Sequence, residues 1–398
     1  MDDDGNHNYN LWFIGVTIYM LATIFQALGA NMQRLSANLK RLSDLGYPTS
    51  SDPARLMSTG LFIFAAGGIV GSISLIFASE SLIAPLILML FLWNPIFASV
   101  INDEPFSFRT DGVCTLLVMV GIALVEGYVP HNSGTYKTAH IEWLFRQMSF
   151  IGYLVALVSF IAIVWYWQHK WEGRVQLYTE SAGPQARAPS LALSDEAALA
   201  QPKAAALLER PAGDGEKGDG DGDKGGGAPA EYVPRNSFTS HFVHLSYGTL
   251  AGAMGGLNVT FTKTIFDTIV ANWNRGADTG DGWLKGMEFI FSYWLTYLLG
   301  AIVIVSYVVE LKLTSRGLSR VHAMIFLPTF AVVEQISVTM GGMLFFQDYR
   351  DFETHQAFLF AFGNFIALCA VIAMAYLRLQ TKAITEASAL LGGAGART

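Results

Sequence analysis

The feature that most constrains this chain is a series of apolar runs of about 20 residues, several of them separated by turns too short to hold a domain. Leu75 to Pro130 shows it best. There an apolar run ends at Ser79-Glu80-Ser81, a second carries Pro85 and Asn94, and the polar turn Asn102-Asp103-Glu104-Pro105 leads into a third holding Gly121. An α-helix needs ~20 such residues to cross the hydrocarbon core of a bilayer, so each run predicts a span and each short turn an antiparallel neighbour. The layout returns near the C-terminus. Met324 to Phe346 contains Pro328, the polar turn Gln347 to Phe352 follows, and the next run holds Gly363. Pro85 precedes Asp103 by 18 residues and Pro328 precedes Asp348 by 20, so one pattern occurs twice and an internal repeat is expected.

Composition agrees with a membrane location. Hydrophobic residues make up 52% of the chain and charged residues 14%, which excludes an ordinary soluble domain. Cys114 and Cys369 each lie inside an apolar run, so neither a disulfide framework nor a metal site is expected of them. Met1 to Asn10 is acidic and lacks the basic start of a cleavable signal, so the first span is expected to remain as an anchor.

The predicted fold class is an all-α polytopic membrane protein with about nine transmembrane helices. An outer tail occupies residues 1–10, and a first transmembrane unit of five spans occupies 11–169. Residues 170–240 are expected to be a disordered cytosolic linker, because GDGEKGDGDGDKGGGAP and its flanks offer too few large apolar side chains to offset the entropy of ordering. The Asp-Gly repeats there lack the ligand spacing and closing Glu of a calcium loop. A second unit of four spans covers 241–378, and a polar cytosolic tail covers 379–398. With the N-terminus outside, fourteen Lys and Arg residues fall in cytosolic segments against five outside, once mid-linker charges are left out. The positive-inside rule therefore favours N-out and C-in. Spans one to four and six to nine are then offset by five crossings, and an odd offset inverts one repeat relative to the other.

At this point particular residues carry a resemblance. Ser81-Leu82-Ile83-Ala84-Pro85, Asn94, Phe97-Ala98 and Glu104 resemble the third and fourth helices of the NIPA-like magnesium transporters, of the drug/metabolite transporter superfamily. Gly29 to Arg34, the Gly-rich sixth span ending in Thr262-Lys263-Thr264, and Leu313 to Leu318 ahead of Leu327-Pro328 agree with it. The resemblance implies the superfamily's inverted repeat, and Mg²⁺ or a related divalent cation as transported substrate rather than as a resident cofactor. The expected location is the plasma membrane or an endosomal membrane. One departure bears on the ion: the family commonly has a Glu where this chain has Gly68.

Mg²⁺ keeps much of its water and takes oxygen ligands, so its path needs a few carboxylates or amides around a wet cavity. Glu334 lies near the middle of the eighth span, where a charge costs roughly 2.5–3.5 kcal/mol and faces a cavity or a partner. It is the candidate metal-contacting residue. Gln335, Asn94, Asn258 and Asn31 are further path candidates, although amides also serve as glue between helices and Asn31 equally suits a helix cap. Pro85 and Pro328 are candidate helix breaks, which would free carbonyls to face a solute. Lys263 and Asp267, four residues apart, are expected to pair with each other. Glu310 reads as interfacial beside Lys312, and Glu80 as an exposed turn acid.

The expected function is a divalent-cation transporter working by alternating access. Its partners would be the bilayer and the ion, with a homodimer left open and no nucleic acid. A metabolite exporter of the same fold is the alternative, and a non-transporting scaffold a weaker one, since a scaffold has no need of an acid at mid-membrane depth. No nucleophile motif, His/Asp cluster or phosphate loop stands in a context that suggests an enzyme.

Overall fold

The computed structural model describes residues 11–44, 46–49, 51–102, 107–129, 138–181, 238–278, 283–321 and 323–395. Every regular element among them is helical, because a backbone in hydrocarbon must satisfy its own N–H and C=O groups. In order these are α1 (Leu11–Asp44), α2 (Pro53–Ser74), α3 (Glu80–Ile83), a 3₁₀ stretch Ala84–Met89, and α4 (Leu90–Asn102). A π turn Phe108–Gly112 precedes α5 (Val113–Tyr128), followed by α6 (Thr138–Phe145), α7 (Met148–Ser181) and α8 (Phe238–Asp278). Then come α9 (Trp283–Ser292), α10 (Trp294–Arg320), α11 (Ala323–Gly341), a π turn Gly342–Phe346, a 3₁₀ turn Asp348–Asp351 and α12 (Thr354–Gly395).

Seven helices among the described residues are long and apolar enough to cross a membrane: Trp12–Asp44, Pro53–Ser74, Glu80–Asn102, Met148–Glu172, Trp294–Arg320, Ile325–Phe346 and Thr354–Met374. The chain is an integral, multi-pass membrane protein. Nine spans were expected, and the other two each fall short of one criterion for a physical reason. α5 is apolar but has only 16 residues. α8 is 41 residues long but polar along its second half, where Asn258, Thr260, Thr262, Lys263, Asp267 and Asn272 are all buried.

The helices present apolar side chains outward as well as inward. Val155, Phe160 and Ile163 on α7, Ile304, Val305 and Val308 on α10, and Phe358, Phe362 and Phe365 on α12 are all exposed. Such continuous faces would aggregate in water and are at home against lipid. Cys369 lies on the exposed side of α12, whereas Cys114 is buried.

The chain divides into two units, one of residues 1–166 with 244–379 and one of 167–243 with 380–398. In the second, Trp167, Trp171 and Phe242 form a small aromatic cluster, with ring centroids 5.0 and 4.8 Å apart. α7 continues to Ser181, past the expected start of the linker at residue 170, and α12 continues to Gly395 through the expected polar tail. Extending an existing helix adds one hydrogen bond per residue fixed, and the Ala, Leu, Gln and Lys of the tail have high helix propensity. Residues 182–237 of the expected linker lie outside the described residues.

Within the first unit, α5 and α12 meet backbone to backbone. A Cβ on Gly121 would stand 2.7 Å from the Gly363 carbonyl oxygen, and one on Gly363 would stand 2.8 Å from that of Gly121. Near the C-terminal end of α11, Phe150, Phe261, Leu295, Leu299, Phe345 and Phe346 join α7, α8, α10 and the π turn in one apolar cluster.

Candidate functional site

The site is set by how closely α8 lies on α11. Their contacts climb together: Gly248 lies against Phe326 and Thr329, Gly252 against Phe330 and Glu334, and Gly256 against Ser337, so the two helices run parallel. A Cβ on Gly252 would fall 2.3 Å from the Phe330 carbonyl oxygen, and one on Gly256 would fall 2.2 Å from the Ser337 Cβ. Only glycine at four-residue spacing lets the two backbones come so near. The same approach lays the Glu334 carboxyl against Gly255, where a Cβ would be 3.0 Å from Oε1. Glu334 is 5% exposed, halfway between Ala323 and Phe346.

α10 brings a second acid to that level. It runs antiparallel to α8: Gly300 lies against Ile265, and Ser306 Oγ donates to Asn258 Oδ1 at 3.4 Å. Continuing in that direction, Glu310 falls one turn beyond Ser306, at the height of Gly255 and hence of Glu334. Glu310 is 3% exposed, which corrects its reading as an interfacial residue. α10 does not end at Val309 but continues to Arg320. The carboxyls of Glu310 and Glu334 lie within electrostatic reach of each other and of Tyr19 on α1. Neither has a hydrogen bond or counter-ion among the described residues. Glu310 could have been found in the sequence: Ser306, Glu310, Thr314 and Gly317, three or four residues apart, mark one small or polar face of the helix.

Asn31, Asn94 and Gln335, also expected along the path, are held in other contacts. Asn31 is not a cap, because α1 continues to Asp44; its Nδ2 donates to the Ala27 carbonyl at 2.8 Å and to Asn94 Oδ1 at 3.0 Å. Asn102 Nδ2 donates in turn to Asn31 Oδ1 at 2.9 Å, which makes an amide chain joining α1 to α4. Gln335 points away from Glu334, since consecutive residues on a helix project about 100° apart, and it donates to Asn364 of α12. Pro85 sits in the 3₁₀ stretch between α3 and α4. Pro328 sits inside an unbroken α11, and the irregularity of that span is the π turn at its far end.

Both ends of α11 are closed by cations. Ahead of it, Arg34 Nη1 donates to the Leu318 carbonyl at 3.3 Å and Arg41 Nη2 to the Ser319 carbonyl at 2.8 Å. Beyond it, Lys263 Nζ pairs with Asp267 Oδ1 at 3.0 Å, as its spacing predicts, and also donates to the Leu75 carbonyl at 2.9 Å. Thr260 donates to Glu80 and Ser81 to Asp348 around the same end. Glu80 is 1% exposed, so the expectation of an exposed turn acid is corrected. Its burial depends on α8, which is remote in sequence. At 1.5 Å per residue, the helical stretch from Ala323 to Phe346 separates these closures by roughly 35 Å. Among the described residues no group of three or more His, Cys, Asp or Glu side chains is placed to hold a metal ion.

The chain is similar to a protein of Arabidopsis thaliana described as probable magnesium transporter NIPA8. The two are 19% identical over 376 residues, 92% of this chain and 69% of the relative. That similarity agrees with the resemblance to NIPA-like transporters carried by the third and fourth spans. No family model and no solved structure matches the chain.

Proposed function

We propose that this chain, like the probable magnesium transporter it is similar to, moves Mg²⁺ or a related divalent cation across its membrane by alternating access. The observation that carries the reading is a pair of acids, Glu310 and Glu334, buried at matching heights in the span region with no partner among the described residues. An acid at that depth is costly to keep unless it faces a substrate or a proton. A metabolite exporter taking an anion would want a deep cation to receive it. Lys263 is the deep candidate, and it is already held by Asp267 and the Leu75 carbonyl.

The proposed framework is nine spans in an inverted repeat, with the N-terminus outside as the charge bias favours. Leu75 and Leu318 stand 243 residues apart, as do Pro85 and Pro328. Arg34 on the first helix of one unit binds the Leu318 carbonyl, and Lys263 on the first helix of the other binds the Leu75 carbonyl. Each unit thus ties its first helix to the chain just ahead of the proline-containing span of the other. The two ties lie at opposite ends, as repeats of inverted topology require. Releasing one while the other holds would open one end at a time.

Gly68 also finds an explanation in this arrangement. The Tyr307 hydroxyl donates to the Ala65 carbonyl at 2.6 Å, and a Cβ on Gly68 would stand 2.5 Å from it. The place of a Glu on α2 is therefore filled by Tyr307, and the carboxyl one turn further along α10 belongs to Glu310. Exchange of isotopic ²⁵Mg²⁺ across the membrane tests the transport reading. Cells producing the chain should exchange the tracer faster than cells without it, and equal exchange at confirmed membrane levels would contradict the proposal.

A further inference from the structure

The electrostatics at mid-membrane depth ask for more than one acid acting alone. Glu334 reaches its position through the parallel packing of α11 on α8, and Glu310 through the antiparallel packing of α10 on the same helix. Two independent contacts thus deliver two carboxyls to one height, and nothing among the described residues neutralises either. Gly252 and Gly255 lay the α8 backbone directly against α11 at Glu334, and Ser306 is the small residue one turn before Glu310 on α10. Neutral oxygen groups at this level are Asn258, bonded to Ser306 one turn from Glu310, and Tyr19, which lies within electrostatic reach of both acids.

We infer that Glu310 and Glu334 together form a binding site for one partly hydrated divalent cation, with the carboxyls as its two protein anions and Asn258 as a neutral oxygen ligand. The inference deepens the transport reading and rests on it for the identity of the ion. The charge argument selects the valence. A monovalent cation leaves one of the two carboxylates uncompensated in a medium where an unpaired charge is expensive, whereas a divalent ion neutralises both. Mg²⁺ is typically held by one or two carboxylates and keeps several waters, so two acids suffice for it without full dehydration. A site of two acids, rather than a cage of three or four, also lets the ion leave.

The test is Mn²⁺ binding to the full-length chain in detergent, read from loss of the free-ion electron paramagnetic resonance signal. Wild type is expected to bind one Mn²⁺ that added Mg²⁺ displaces. Glu310→Gln and Glu334→Gln should each weaken binding by roughly tenfold or more, because affinity at oxygen sites follows the number of charged ligands. The double substitution should abolish it, and Glu126→Gln on α5 should bind as wild type does. If Glu310→Gln lowers the yield of folded protein, Glu310→Asp keeps the charge and should retain Mn²⁺ binding. Loss in Glu334→Gln with wild-type affinity in Glu310→Gln would overturn the paired site, as would unchanged binding in both. Mn²⁺ held at the pair by a chain that exchanges no ²⁵Mg²⁺ would leave the site standing and remove the transport reading alone.

Discussion

Glu334→Gln is expected to raise the Mg²⁺ concentration needed for half-maximal flux by roughly tenfold or more, and to flatten the preference among divalent cations. The substitution keeps side-chain size and removes one of two charges from the site, and a tenfold loss of affinity corresponds to about 1.4 kcal/mol. Stability should hold or rise, since a neutral amide costs less to bury than an ionised acid. That combination separates an ion ligand from a structural acid. A buried acid kept for packing would show altered stability with unchanged selectivity, and unchanged affinity and selectivity at matched protein levels would end the assignment.

Gly252→Val should be the most damaging single change to the fold. The first added carbon would stand 2.3 Å from the Phe330 carbonyl oxygen, which is backbone and cannot swing aside, so α8 and α11 must separate. Overpacking typically costs about 1–3 kcal/mol. Here it also displaces Glu334, which lies against Gly255 one turn further on. The expected result is a lower unfolding temperature in detergent, a poorer yield of monodisperse protein and loss of Mg²⁺ flux. Gly152→Ala on α7, where a Cβ meets nothing within 4 Å, should be neutral or slightly stabilising. Similar unfolding temperatures for Gly252→Val and wild type would show that the helices are not in contact as described.

Much of this arrangement could be read from the chain, and what escaped has local causes. Apolar runs report burial in lipid directly, so most spans and the polar character of α8 were legible. Glycines at four-residue spacing in α8 mark a close helix contact, but nothing local in the sequence names its partner. Glu310 was misplaced because hydropathy falls after Val309, while the helix continues through Leu311, Leu313 and Thr314 on to Arg320. Glu80 looked exposed because Ser79-Glu80-Ser81 is a turn by composition. Thr260, which bonds to it, lies 180 residues further along the chain, and no local signal carries a contact of that range. Glu334 and Gln335 were read together because they are neighbours in sequence, yet a helix sends one toward Gly255 and the other to Asn364. Pro328 was expected to break a helix that remains unbroken, since neighbouring helices and adjusted geometry can accommodate a membrane proline.

The most direct measurement is ion flux through the purified chain alone in sealed liposomes, with Mg²⁺ outside and a Mg²⁺-sensitive dye inside. The account predicts Mg²⁺ entry that saturates with concentration, that other divalent cations compete with, and that Na⁺ and K⁺ at the same concentration leave unchanged. Liposomes that stay dark to every divalent cation while holding folded protein in both orientations would contradict it.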